Sequence, residues 1–167
     1  MAFIFHKSFL KHNMGWNHPE NPQRVKKILQ WLKEREYSLL EGQCATEEQI
    51  LAVHDFQLYS SVKASQTKRI VFDPDTVTNQ STYEAAMYAA GSTILAIDKS
   101  FQDPSHSYFV LCRPPGHHAT QNQAMGFCFF NNVAIGAQYA LKSQLAQRIA
   151  IFDFDNHYGN GTAAIFE

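Results

Sequence analysis

The segment Arg148–Thr162, RIAIFDFDNHYGNGT, constrains this chain more than any other. Read as a strand, it sends Ile149, Ile151, Asp153, Asp155 and His157 to one face, because successive strand residues point to opposite sides. The other face, with Ala150, Phe152 and Phe154, is apolar too, the pattern of a strand buried in a parallel sheet. Two carboxylates at the end of such a strand are costly unless a cation or hydrogen-bond donors meet them. A metal ion is the simplest answer, since Asp and His are zinc-type ligands. An Asp/His hydrogen-bond network with no metal, or simply a turn rich in Asn and Gly, is the alternative. Gly159 and Gly161 flank Asn160 and turn the chain where the C-terminal edge of a sheet usually carries its site.

A second constellation is Leu111–Ala119, LCRPPGHHA. It follows Ser107–Val110, which reads as a short buried strand that Pro114 and Pro115 terminate. Gly116 permits a bend, and His117 and His118 follow it. Adjacent histidines on a loop are commonly just polar surface, but here Arg-Pro-Pro-Gly restricts the backbone before them. Two neighbouring imidazoles can divide the work of general base and electrostatic catalyst. Each ring then needs an acceptor for its second nitrogen, and Asp153 and Asn160 are the natural candidates.

Around these segments the pattern predicts strands at Ala2–His6, at Ser107–Val110 and from Arg148 onward, with Ile149 to His157 as its alternating set. Helices are predicted over Pro22–Glu36, with Val25, Ile28, Leu29 and Leu32 on one face, and over Thr46–His54, capped by Thr46. Further helices are expected over Tyr83–Ser100, rich in small residues, and over Asn131–Leu145, capped by Asn131 or Asn132. Alternating strands and helices predict an α/β fold: a parallel sheet flanked by helices on both faces. No repeat or low-complexity stretch interrupts residues 1–167, so a portion of one domain is expected.

A formal net charge of -1 provides no basic field for direct nucleic-acid binding. Cys44, Cys112 and Cys128 are too few and too scattered for a disulfide framework or a cysteine-zinc site. Met1–Phe5 runs straight into His6 and Lys7 and does not read as a signal peptide. No apolar run reaches membrane-spanning length, so no membrane partner and a cytoplasmic location are expected.

RPPGHHA, then Gly126–Ala134 (GFCFFNNVA), then DFDNHYGNGT together resemble the histone deacetylase superfamily. The resemblance is to its class II and bacterial branch, which includes acetylpolyamine deacetylases and acetoin-utilisation proteins. His18-Pro19-Glu20 with Arg24 resembles the family's HPE-x-x-x-R opening, Val53-His54-Asp55 its VHD segment, and Phe72–Thr76 (FDPDT) its substrate-side loop. The resemblance implies an arginase/deacetylase-like fold and zinc-dependent hydrolysis of an acyl-lysine or acyl-amine amide. It makes Asp155 and His157 zinc ligands and His118 the general base on the metal-bound water, oriented by Asn160. His117 becomes its electrostatic neighbour, bonded to Asp153, and Asp153 also matches a residue that helps hold a structural potassium ion.

On the substrate side, the same resemblance makes Phe127 one wall of the tunnel for the acyl-bearing stem, with Gly126 its adjoining main chain. Asp75 matches a rim carboxylate that grips substrate backbone, with Asp73 as the fallback, and Arg24 would lie in an internal channel behind the metal. Each has a plain rival: Phe127 as core, Asp75 as a turn and capping residue, Arg24 as a solvated helix face.

The family's third zinc ligand, a late aspartate, and its oxyanion tyrosine are not found before Glu167. The chain thus resembles the N-terminal half of a catalytic domain about twice as long. In that family, strands of the other half lie between the Ser107 and Arg148 strands. A homo-oligomer or association with the missing half is therefore expected. Two other readings stay open: a non-catalytic assembly module, and an arginase-like dimetal hydrolase, against which RPPGHHA argues. The substrate is open between an acyl-lysine protein and an acylated small amine.

Overall fold

The computed structural model describes residues 1–167. Its strands are β1 (Ala2–Phe5), β2 (Leu39–Glu41), β3 (Val71–Asp73), β4 (Thr76–Val77) and β5 (Tyr108–Val110). Its α-helices are α1 (Pro22–Glu34), α2 (Glu47–Leu51), α3 (Phe56–Lys63), α4 (Thr82–Gln102), α5 (Asn132–Lys142) and α6 (Asn160–Phe166). β1 is central in a parallel sheet ordered β2-β1-β5, with Phe3 opposite Leu39 and Phe109. β3 and β4 form a separate antiparallel hairpin.

Helices cover both faces of the sheet. On one, Val25, Leu29 and Leu32 of α1 pack with Leu111, Phe3 and Leu39. On the other, Ala85 and Ala89 of α4 pack with Phe9 and Cys112. Leu111 and Cys112 are neighbours in sequence and reach opposite clusters, as alternation along an extended segment requires. The small buried residues of α4, from Ala85 to Ser92, let it lie close to β5 and α5.

Local signals account for most helix boundaries. Asn21 caps α1 through Gln23 N, with Pro22 at the first helical position, where its missing N–H costs nothing. Thr46 and Gln49 form a reciprocal capping box on α2. The expected helix Thr46–His54 ends earlier, at Leu51, and Asp55 caps α3 by accepting from Leu58 N. The α3 helix, the β3–β4 hairpin, β2 and α6 were not anticipated from pattern. No helix is long and apolar enough to cross a membrane.

The expected third strand of the sheet does not form. None of the main-chain groups of residues 148–157 pairs with another backbone group, and Phe152 and Phe154 are 86% and 83% exposed. A strand exists only through a neighbour's N–H and C=O groups. β5 offers a free edge, but a cleft of about 480 Å³ separates the two, lined by Val110, Cys112, Val133, Ile151 and Phe154 among others.

Candidate active site

The histidine loop is held at its root by a buried ion pair. Arg113 is 2% exposed and Glu20 1%; the guanidinium donates to Glu20 through Nε and, at 2.7 Å, through Nη2. Nη1 donates to the carbonyls of Phe9 and His12, so Arg113 ties the 113–118 loop to the segment after β1. Asn132 fixes the next turn by donating to Pro114 O at 3.2 Å.

The far end of the loop is stapled by His54. Asn131 N donates to His54 Nε2 at 2.8 Å, so the ring's proton is on Nδ1, which donates to Thr120 O at 2.8 Å. Burial pushes the His54 pKa down to about 4, which keeps the imidazole neutral. Asn131, fully buried, donates through Nδ2 to Ala119 O and Thr162 Oγ1, both at 3.1 Å. It thus joins the histidine loop to the turn that opens α6.

Between these anchors the two histidines meet the partners expected of them. His117 Nδ1 donates to Asp153 Oδ2 at 2.9 Å, and His118 Nδ1 to Asn160 Oδ1 at 2.6 Å. The rings are 4.0 Å apart, centroid to centroid. A side-chain amide oxygen only accepts, so the His118 proton is on Nδ1 and Nε2 keeps a free lone pair. Gly161 N and Thr162 N donate to His117 O at 2.9 and 3.1 Å. Gly161 has to be glycine here, because a Cβ would collide with Ala119 O.

Asp155 and His157 lie beside this group, with the His157 ring 6.0 Å from that of His118. Asp155 Oδ1 accepts from His157 N at 2.8 Å and from His157 Nδ1 at 2.9 Å. Those bonds hold the Asp155 carboxyl below the ordinary carboxylate range. No three His, Cys, Asp or Glu side chains come together as metal ligands. The donor pair therefore fits zinc in type and falls short of it in number. Asp153 uses Oδ2 for His117 and Oδ1 for Asp155 N.

The substrate-side residues form a second group. Gly126 and Phe127 are the centre of a tight turn, with φ of 55° and 71°, closed by paired main-chain bonds between Met125 and Cys128. His18 stands edge-on to the Phe127 ring at 4.8 Å. The Asp75 side chain is at the surface, while its carbonyl accepts from His18 Nε2 at 3.0 Å. Asp73 is the carboxylate that touches the turn, accepting from Gly126 N at 3.3 Å.

Arg24, expected in an internal channel, lies at the surface of these 167 residues. Its side chain is 62% exposed and reaches only Glu20, at 3.8 Å. Val25, Leu29 and Leu32 occupy the buried face of α1, which turns Arg24 outward; the buried guanidinium is that of Arg113. His18, His54, Thr76 and Arg113 are members of the HPE, VHD, FDPDT and RPPGHHA motifs, but nothing local in the sequence gives them a role in the site.

Residues 18–167 match the family model of the histone deacetylase domain, and this chain belongs to the histone deacetylase family. It is 35% identical to a probable deacetylase of Archaeoglobus fulgidus, covering 99% of this chain and 47% of that protein. It is 33% identical to the polyamine deacetylase HDAC10 of Rattus norvegicus, with 99% and 31% covered. The crystal structure of the HDA15 HD domain superposes with a TM-score of 0.90 at 31% identity, covering 99% of this chain and 51% of that one. The chain thus spans about half the length of that domain, and about half or less of these curated relatives.

Proposed function

We propose that this chain carries the histidine-pair part of the active site of a zinc-dependent deacetylase acting on an acyl-lysine or an acylated small amine. The observation that carries this reading is the His118–Asn160 bond of 2.6 Å, which leaves His118 Nε2 as a free base beside a second imidazole on a carboxylate. In amide hydrolysis, His118 Nε2 takes the proton of the attacking water as its oxygen bonds to the acyl carbon. The same nitrogen returns that proton to the amine as the C–N bond breaks. His117, held on Asp153 at 2.9 Å, would stand as its electrostatic neighbour.

Asp155 and His157 would hold zinc together with donors from polypeptide other than these 167 residues. Bound there, zinc supplies Lewis acidity to the carbonyl and acidity to the water. A potassium ion would sit at Asp153 and the main chain near Asp155 and His157. Phe127, with Gly126 beside it, would line the path of the substrate stem, and Asp75 would meet the substrate at the rim. The oxyanion donor also lies elsewhere, and one such donor is typically worth about a hundredfold to a thousandfold in rate.

The assembly belongs to the same proposal. The free edge of β5 and the exposed Phe152 and Phe154 call for a covering partner, either the remaining half of the domain or a second copy. A non-catalytic module is the second reading, favoured by the lone and exposed Asp155–His157 pair. Zinc titration of the chain, with a fluorogenic acetyl-lysine assay before and after adding the remainder of a deacetylase domain, separates them. Zinc uptake and activity gained on addition support the enzyme; neither appearing refutes it.

A further inference from the structure

The β3–β4 hairpin lies outside the histidine loop and the Asp/His turn, yet it grips the tip of the substrate-side turn. We propose that Thr76 and Asp73 are positioning residues that hold the Gly126–Phe127 turn flush against His118. This rests on reading Phe127 as the stem wall and His118 as the base.

The need for such a brace follows from the turn itself. Positive φ at both central residues is the type I′ pattern, which favours Gly, Asn or Asp there. Gly126 suits its position; Phe127 does not, since a bulky side chain at positive φ is strained. Such strain persists only where the surroundings over-determine the conformation. Here they do. Thr76 is fully buried, and its Oγ1 accepts from Phe127 N at 2.9 Å. Asp73 Oδ2 accepts from Gly126 N at 3.3 Å, while its Oδ1 accepts from Asp75 N at 2.8 Å. Both outward-facing amides of the strained turn therefore end on one hairpin.

What the turn presses on gives the brace its purpose. A Cβ at Gly126 would lie 2.5 Å from His118 Cδ2, so the main chain there seats the imidazole directly. Met125 Sδ receives Asn160 Nδ2 at 3.5 Å, so the turn touches both members of the His118–Asn160 pair. On the other side, His18 packs against Phe127 and is itself locked. Its Nδ1 accepts from Glu20 N at 3.1 Å and its Nε2 donates to Asp75 O. Hence one conformation of residues 125–128 sets the direction of Phe127 and the seat of His118 together.

The test uses NMR on the 167-residue chain without metal or substrate. Thr76→Val keeps the shape and removes the acceptor; Thr76→Ser keeps the acceptor. In Thr76→Val, exchange of the Phe127 amide should quicken by about tenfold or more, as expected when a buried donor loses its partner. The Gly126 Hα to His118 Hδ2 cross-relaxation should fade and the Phe127 HN–Hα coupling should change; Thr76→Ser should preserve all three. If Thr76→Val keeps them and only melts earlier, Thr76 merely packs and the proposal is overturned. Should Thr76→Val not fold, Asp73→Ala decides: the Gly126 amide should lose protection and its contact with His118 weaken, and no change in either would refute the brace. Failure of the deacetylase reading would appear instead in the zinc and acyl-lysine measurements.

Discussion

His54 Nε2 accepts the main-chain N–H of Asn131 at 2.8 Å, and this one bond requires a neutral imidazole beneath the histidine loop. Protonating Nε2 would set a donor against a donor in a buried place.

The pH dependence of stability follows. The His54 pKa is lowered from 6.5 to about 4 by burial. A depressed folded-state value means its stabilisation is fully present above pH 6.5 and is lost as pH falls from 6.5 through 4. The loss is about 3 kcal/mol by pH 4. His12, lowered from 6.5 to about 3 by burial and then by Arg113, loses its stabilisation over the same fall from 6.5 and on through 3. Urea unfolding of the chain and of His54→Gln between pH 7 and 4 should show a shallower slope for the variant. Equal slopes would remove His54 from the account.

The anchor of the loop predicts a large cost for half a pair. Arg113→Met would leave Glu20 charged and buried with only the 3.8 Å contact of the exposed Arg24 and that of His12. Breaking a buried pair from one side typically costs about 3–5 kcal/mol, measurable as a fall in the urea midpoint. Removing Arg24 instead, by Arg24→Ala, should cost under about 1 kcal/mol, as for exposed pairs. If the two variants lose equally, Arg113 is not the anchor.

Zinc binding should follow the donor pair. The chain alone is expected to bind zinc weakly, and His157→Ala to abolish that binding in a calorimetric titration. Stoichiometric zinc retained by the variant would exclude His157 as a ligand.

In a complete, active assembly, His118→Ala should reduce turnover by about a hundredfold or more with zinc content unchanged. Metal loss in that variant, read by elemental analysis, would make His118 structural rather than a base.

Light scattering of the chain alone should report a dimer or larger species, because the β5 edge and the Phe152–Phe154 stretch are uncovered. A stable monomer across the micromolar range would show that these surfaces need no partner.

Much of this molecule was legible in order along the chain, because the relevant signals are local. Asn21-Pro22 and the spacing of Val25, Leu29 and Leu32 specify α1 within one stretch, as Thr46 and Gln49 specify the start of α2. Asp153 and Asn160 also stand out in the sequence as acceptors for His117 and His118, and the family resemblance implies which ring each one serves. The structure decided what depends on residues far apart. Ile149 and Ile151 on one face and Ala150, Phe152 and Phe154 on the other read as a buried strand, but a strand needs a neighbour's backbone, and none pairs with it. Arg24 and Arg113 look equally basic in sequence; only packing puts one in solvent and the other on Glu20, 93 residues away. Thr76 meets Phe127 across 51 residues, a contact with no local trace, because the strained turn and its brace are brought together only when the helices close on the sheet.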